Sequence, residues 1–268
     1  MTSGPSSETQ TVRPAPQDDG ARERAETPLV ELRQVSLAYG GGAGRMLALE
    51  DATLSIAKGE FIAVVGPSGC GKSTLMKLVT GLLPPTGGEV RVHGQVVKGP
   101  IRGVGMAFQA PTLMPWRTTL DNILLPLEVV EPHKRRFRSN KAEYIARGEA
   151  LLSSVGLGGF GQKFPWQLSG GMQQRSSLCR ALVHEPEILM LDEPSLGIAP
   201  KIVSEIAQAI VRLNRETGIS VILVEQNARL ALKTAHHAYV FEQGTVIRSG
   251  SGQELLQDAF VQKAFLGV

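Results

Sequence analysis

Eight consecutive residues, GPSGCGKS from Gly66 to Ser73, have the types and spacing to do chemistry on a phosphate. They fit G-x-x-x-x-G-K-[ST] and lie between a short apolar run, EFIAVV, and a helical stretch from Gly71 to Thr80. Glycines let the backbone curl so that successive N–H groups face phosphate oxygens, and the start of the following helix adds its positive end. Lys72 would set a point charge on the β and γ oxygens, while the Ser73 hydroxyl could ligate Mg²⁺. With a strand before it and a helix after it, the loop reads as a nucleotide site rather than a structural turn. A second acidic element follows downstream. The apolar run ILML ends in Asp192 and Glu193 and is closed by Pro194, which places two carboxylates at a strand end.

Elements must position these groups. LVELRQVSLAY and LALEDATLSI alternate with period two around the GGGAG stretch at Gly40–Gly44, which predicts an antiparallel pair. EFIAVV predicts a buried strand of a parallel sheet, and GEVRVHGQVV a hairpin. Between about Ala110 and Ser169 strand signals vanish. LDNILLPLEVV and KAEYIARGEALLSSVGL carry helical spacing there, and a polar basic loop, HKRRFR, joins them. The α/β rhythm resumes with EILMLDEP, KIVSEIAQAIVRLNRETG, ISVILVE, NARLALKTA and the hairpin AYVFEQGTVIRSG. Residues 1–27 are poor in large apolar side chains and read as a disordered tail.

Composition narrows the class. Of 268 residues 42% are apolar, enough for a sizeable core in one α/β domain. The net charge of +3 is too slight to point to nucleic acid as a partner. Two cysteines, Cys70 and Cys179, give neither a disulfide scaffold nor a zinc cluster. No apolar run approaches the ~20 residues of a membrane span, and no secretory leader is visible. Cys70 sits near a helix start and Lys72, conditions that lower a thiol pKa, so alkylation there is expected to block nucleotide use. Cys179 reads as a small core residue.

Leu168–Gln174, LSGGMQQ, followed by Arg175, precedes the acidic pair. Together with GPSGCGKS this order resembles the nucleotide-binding domain of an ABC transporter, across nearly everything after residue 28. The resemblance implies an α/β fold: a P-loop NTPase (RecA-like) core with a mixed sheet, an N-terminal antiparallel β subdomain and an inserted α-helical subdomain. The domain would run over 28–268, with core at 28–109 and 170–268 and the insertion at 110–169. It implies ATP and Mg²⁺ as cofactors. Gly66, Pro67, Ser68, Gly69, Cys70, Gly71, Lys72, Ser73 and Thr74 would hold the phosphates, and Tyr39 would stack on adenine. Ser169, Gly170, Gly171 and Gln173 would face the nucleotide bound by an opposite subunit. Ser73, Gln109 and Asp192 would serve the metal, with Glu193 as general base or water-orienting group.

Two positions depart from the family pattern. The switch histidine falls on Gln226, in VILVEQNARLAL, and the aspartate of the loop after the catalytic glutamate falls on Ala199. Gln226 can hydrogen-bond a phosphate or position water but cannot become cationic. His236 and His237, past that helix, read as ordinary packing residues.

The last third (EPSLGIAPKIVSEI, LVEQNARLALKTA, DAFVQKAFLG) resembles the ATPase of branched-chain amino acid importers. The front (APTLMPWRTTLDNILLPLEVV, KFPWQLSGGMQQR) is similar to ATPases of nitrate, sulfonate and taurine importers. The expected function is an ATP-hydrolysing subunit that powers an importer of this second type. The alternatives are a branched-chain amino acid importer, an exporter, or an ABC protein outside transport. The resemblance further implies a second ATPase subunit, identical or different, transmembrane permease subunits and an external solute-binding protein. The chain would then lie peripherally on the cytoplasmic face of the cell membrane. Leu113, Met114, Pro115 and Trp116 are expected in the permease groove.

Overall fold

Alternate side chains of the first strand are apolar, and those are the ones buried: Val30, Leu32, Val35 and Leu37. In the computed structural model, which describes residues 27–41 and 44–267, this strand (β1, Val30–Tyr39) pairs antiparallel with β2 (Met46–Ile56) and with β4 (Gly87–Val92). A two-residue strand, β5 (Gln95–Val96), closes the expected hairpin, giving a four-stranded sheet in the order β2-β1-β4-β5. Apart from Thr27, the segment read as a disordered tail lies outside the described residues, as do Gly42 and Ala43.

The second sheet has six strands in the order β10-β9-β3-β8-β7-β6. These are β3 (Phe61–Val65), β6 (Val104–Ala107), β7 (Ile188–Asp192), β8 (Ser220–Glu225), β9 (His237–Glu242) and β10 (Thr245–Ser251). All neighbours from β9 to β6 run parallel, and only β10 is antiparallel. A parallel sheet is covered on both faces, which explains the near-continuous apolar runs of β3, β7 and β8 up to the carboxylates that end β7 and β8. Ile62 and Val64 of β3 join the core shared with the first sheet and α1 (Lys72–Val79). Phe61, Ala63 and Val65 join the core on the opposite face. There they meet α5 (Gly170–Leu182), α6 (Pro200–Thr217) and α7 (Ala228–Thr234). Short helices α8 (Gly252–Gln257) and α9 (Ala259–Val261) finish the described chain before Gln262–Leu266.

Residues 110–169 contain helices and no strand. Here α2 (Thr119–Val129) and α4 (Lys141–Ser154) bury Ile123, Leu127, Tyr144 and Leu152 against Cys179 and Val183 of the α5 region, a third core. The HKRRFR segment, expected as a plain loop, is instead a helical turn, α3 (His133–Arg136). Its backbone continues from α2 through the Lys134 N–H to the Val130 carbonyl, and His133 meets the Tyr144 hydroxyl at 3.1 Å. Those contacts give a polar run enough anchorage to close a turn.

Candidate nucleotide site

Because five strands run parallel, their carboxyl ends share one rim, where ligands of open α/β sheets collect. The GPSGCGKS loop follows β3, Gln109 follows β6, Asp192 and Glu193 follow β7, and Gln226 follows β8. Residues up to 160 apart in sequence meet there for reasons of topology alone.

The loop is shaped by close approach. An added Cβ on Gly66 would strike the Phe241 carbonyl oxygen and lie 2.7 Å from Cys70 Sγ. Gly71 adopts φ 105°, and a Cβ there would meet the Ala48 carbonyl oxygen at 2.6 Å. Both positions therefore demand glycine. Pro67, Ser68 and Gly69 are exposed, and α1 begins at Gly71 without a side-chain cap or an acidic residue in its first turn. A helix start in that condition leaves N–H groups available to an anion.

Lys72 is only 4% exposed, and Nζ donates to the Gly66 and Pro67 carbonyls at 2.9 Å each. The same nitrogen lies 3.3 Å from Glu193 Oε1. Ser73 Oγ donates to Asp192 Oδ2 at 3.4 Å. Burial, and then repulsion from Glu193, pushes the Asp192 carboxyl above its ordinary value; Ser73 and Lys72 oppose the shift. An oxygen pair of hydroxyl and carboxylate suits a hard cation such as Mg²⁺. Glu193 has φ 45°, in the left-handed region, and its N–H donates to the Val224 carbonyl at 2.8 Å. Gln226 is exposed and lines a cleft of about 290 Å³ with Glu193, Ser195, Leu196, Gly197 and Asn227.

Tyr39 ends β1 beside α1, half-buried, with its hydroxyl 3.3 Å from the hydroxyl of buried Thr74. Gln109 is exposed just past β6, and the neighbouring Phe108 carbonyl accepts the side-chain N–H of buried Gln174 at 3.2 Å. Ser169 caps α5, its hydroxyl accepting the Met172 N–H at 3.3 Å, with Gly170 and Gly171 opening the helix. This helix start stands at the β6 side of the rim, while the loop is on β3, with β8 and β7 between them. Three strand spacings amount to ~14 Å. One chain does not join the two.

At this site one expectation needs correction. Cys70 points into the core, 4% exposed, and burial raises its thiol above the ordinary value despite Lys72, so its expected activation is absent. The Gln173 amide donates to the Pro165 and Leu168 carbonyls at 2.9 and 3.3 Å, holding the turn before α5 and leaving only its oxygen for other partners. Ala199, in the place of the family's aspartate, starts α6 with no side-chain cap. The histidines behave as read: His236 Nδ1 accepts the Phe61 N–H at 3.1 Å and packs edge-on against that ring. Cys179 is wholly buried, its thiol pushed up to about 12.

Sequence reasoning passed over Glu225. It is 1% exposed at the end of β8 and binds Ser195, two residues beyond Glu193. Its signal was a carboxylate ending an otherwise apolar run, SVILVE.

A family model described as ABC transporter matches residues 49–196, more than half of the chain. The chain belongs to the ABC transporter family. It is 35% identical over 230 residues to the methionine import ATP-binding protein of Enterococcus faecalis, covering 83% of this chain and 65% of that protein. It is also 35% identical over 233 residues to the spermidine/putrescine import ATP-binding protein of Mesorhizobium japonicum, covering 85% and 62%. The chain thus spans less than two thirds of either relative. Among solved structures, a dimeric ATP-binding cassette in a post-hydrolysis state with ADP and Pi aligns at TM-score 0.71 and 30% identity, over 83% of this chain and 98% of that one. The fold is that of an ABC cassette, α/β with an antiparallel sheet set against a mixed one.

Proposed function

We propose that this chain is the ATP-hydrolysing subunit of an ABC importer and that two cassettes close head to tail around two ATP molecules. The observation carrying the reading is the rim. Lys72, the uncapped start of α1 and the Asp192–Glu193 pair converge on one side of it, and the Ser169-led helix start is held apart from them. A site split in this way is completed by a second cassette, as the neighbouring structure's dimeric state illustrates for that protein.

The residues divide the work. Backbone N–H groups of Gly66 to Thr74 and Lys72 would bind the phosphates, and Tyr39 would cover the base. Ser73, Asp192 and Gln109 would hold Mg²⁺, which would supply charge neutralisation for the phosphates. Glu193 takes the proton of the attacking water or orients it, and Gln226 hydrogen-bonds the terminal phosphate. Lys72 holds the Glu193 carboxylate from one side, so nucleotide arrival redistributes that ion pair. Ser169, Gly170 and Gly171 supply the opposing face, where the helix start attracts the γ-phosphate. Loss of that phosphate removes the contact and lets the two cassettes part.

Partners follow from shape. No helix among the described residues is long and apolar enough to cross a membrane, and the importer reading pairs this cassette with transmembrane permease subunits. Trp116 is 72% exposed, and Trp166, 66% exposed, stacks on Phe164 with centroids 4.5 Å apart. The Thr119 N–H donating to the Lys163 carbonyl at 2.7 Å ties the two segments together. Exposed aromatics on a fixed scaffold suit docking of a membrane partner. We assign the permease to the nitrate, sulfonate and taurine class, because the front-half resemblance covers this surface. The methionine and spermidine/putrescine relatives support an importer without singling out that cargo.

The test is to purify the chain from membranes solubilised in mild detergent and follow phosphate release from MgATP. A co-purifying integral permease, with turnover abolished by Glu193→Gln, supports the reading. Near-normal turnover of that variant overturns it.

A further inference from the structure

Of the carboxylates at the ends of β7 and β8, Asp192, Glu193 and Glu225, only Glu225 has no task in hydrolysis. Its position is costly: it lies at the end of a strand buried on both faces, 1% exposed, beside Phe61, Ile206 and Leu230. A carboxylate is retained in such surroundings only when donors meet its lone pairs. Here the donors come from both loops that frame the cleft. Oε1 accepts the Ser195 backbone N–H at 3.0 Å. Oε2 accepts the Ser195 hydroxyl at 2.8 Å and the Asn227 N–H at 3.5 Å.

These bonds bear on Glu193. That residue occupies a left-handed conformation at φ 45°, which an L side chain adopts only when its surroundings hold it there. Its own N–H is fixed by the Val224 carbonyl, and the chain just beyond Pro194 is fixed by Glu225. The left-handed turn is thus pinned on both sides by consecutive residues of β8. Gln226 comes next and faces the cleft.

We propose that Glu225 is a positioning residue for ATP hydrolysis: by holding Ser195 it locks the turn that aims Glu193, and by holding the Asn227 N–H it keeps Gln226 on the same cleft. The inference rests on Glu193 being the catalytic carboxylate. Glutamine at 225 keeps the size but has a single acceptor oxygen, and its amide N–H₂ would oppose one of the Ser195 donors. A misplaced general base costs rate rather than substrate affinity.

The experiment uses the chain of 268 residues with MgATP, reading phosphate release, KM and thermal midpoint for Glu225→Gln, Ser195→Ala, the double variant and Glu193→Gln. Glu225→Gln is expected to lower kcat roughly 10- to 100-fold at unchanged KM, the scale of misplacing a reacting group. Ser195→Ala, which keeps the backbone N–H bond and stands in if Glu225→Gln does not fold, should lower kcat by a smaller factor, again at unchanged KM. The double variant should fall less than the product of the two effects, because they share one contact. Wild-type kcat in Ser195→Ala or Glu225→Gln, or losses matched by a rise in KM, overturns the positioning role. If Glu193→Gln itself keeps turnover, the reading of Glu193 is what fails.

Discussion

The glycine-led starts of α1 and α5 are built in opposite ways. At α1 the cap residue is Gly71, no side chain satisfies the first N–H groups, and a buried lysine and two carboxylates stand around the opening. At α5 the cap is Ser169, whose hydroxyl accepts the Met172 N–H, and no acidic residue lies in the first turn. The first has its chemistry assembled within one chain. The second presents a capped, positive helix end that, among the described residues, has no lysine or carboxylate pair assembled around it as α1 has. The difference teaches that the two motifs, so alike in glycine content, divide into a binding cradle and a docking face.

The largest expected effect separates chemistry from binding inside the cradle. Glu193→Gln should lower kcat by about 10²–10⁴-fold, the range for loss of a general base, while ATP still binds. Phosphate-release kinetics beside nucleotide titration would check it. Next, Lys72→Ala should weaken ATP binding to the single chain about 10- to 100-fold, from loss of a charge-assisted contact of roughly 1.5–3 kcal/mol. Equal affinities for wild type and variant would erase the distinction between the two helix starts. Ser169→Ala should cost about 0.5–2 kcal/mol of stability through its lost cap, visible in urea unfolding, and leave single-chain affinity for ATP unchanged.

The smallest effect concerns Cys70, which sits in the cradle but points away from its opening. Burial raises its thiol, so at neutral pH less thiolate is present than in the unfolded chain. Iodoacetamide should accordingly label the folded protein more slowly than the urea-unfolded one, with the gap persisting through the ordinary thiol range and closing only as the pH passes the raised value of the folded thiol. Labelling of Cys70 in the folded chain at the unfolded rate would contradict the packing of Gly66 against it.

The same contrast explains what could be read from sequence. The strands other than β6, the loop at Gly66–Ser73 and the two long helices α2 and α4 are legible because each rests on local spacing: period two, period 3.6, or glycines between a strand and a helix. What escaped depends on which neighbour a fold delivers. Cys70 looked activated beside Lys72, but it is buried in a core that Phe241, from a strand over 170 residues away, also joins. Gln173, read only as facing an opposite nucleotide, also gives its amide to the turn at Pro165. Glu225 read as the end of an apolar strand because its partner, Ser195, arrives only through the pairing of β7 with β8. Residues that act through a chain neighbour are visible in sequence; residues that act through a sheet neighbour need the topology.

The central claim is that the cradle of one chain and the Ser169-led face of another clasp the same ATP. Light scattering of the Glu193→Gln chain with MgATP tests it most directly. The account predicts a complex of two chains that holds two nucleotides and disperses when ATP is removed. A single chain carrying bound ATP, at every protein concentration and also beside its permease, would contradict it.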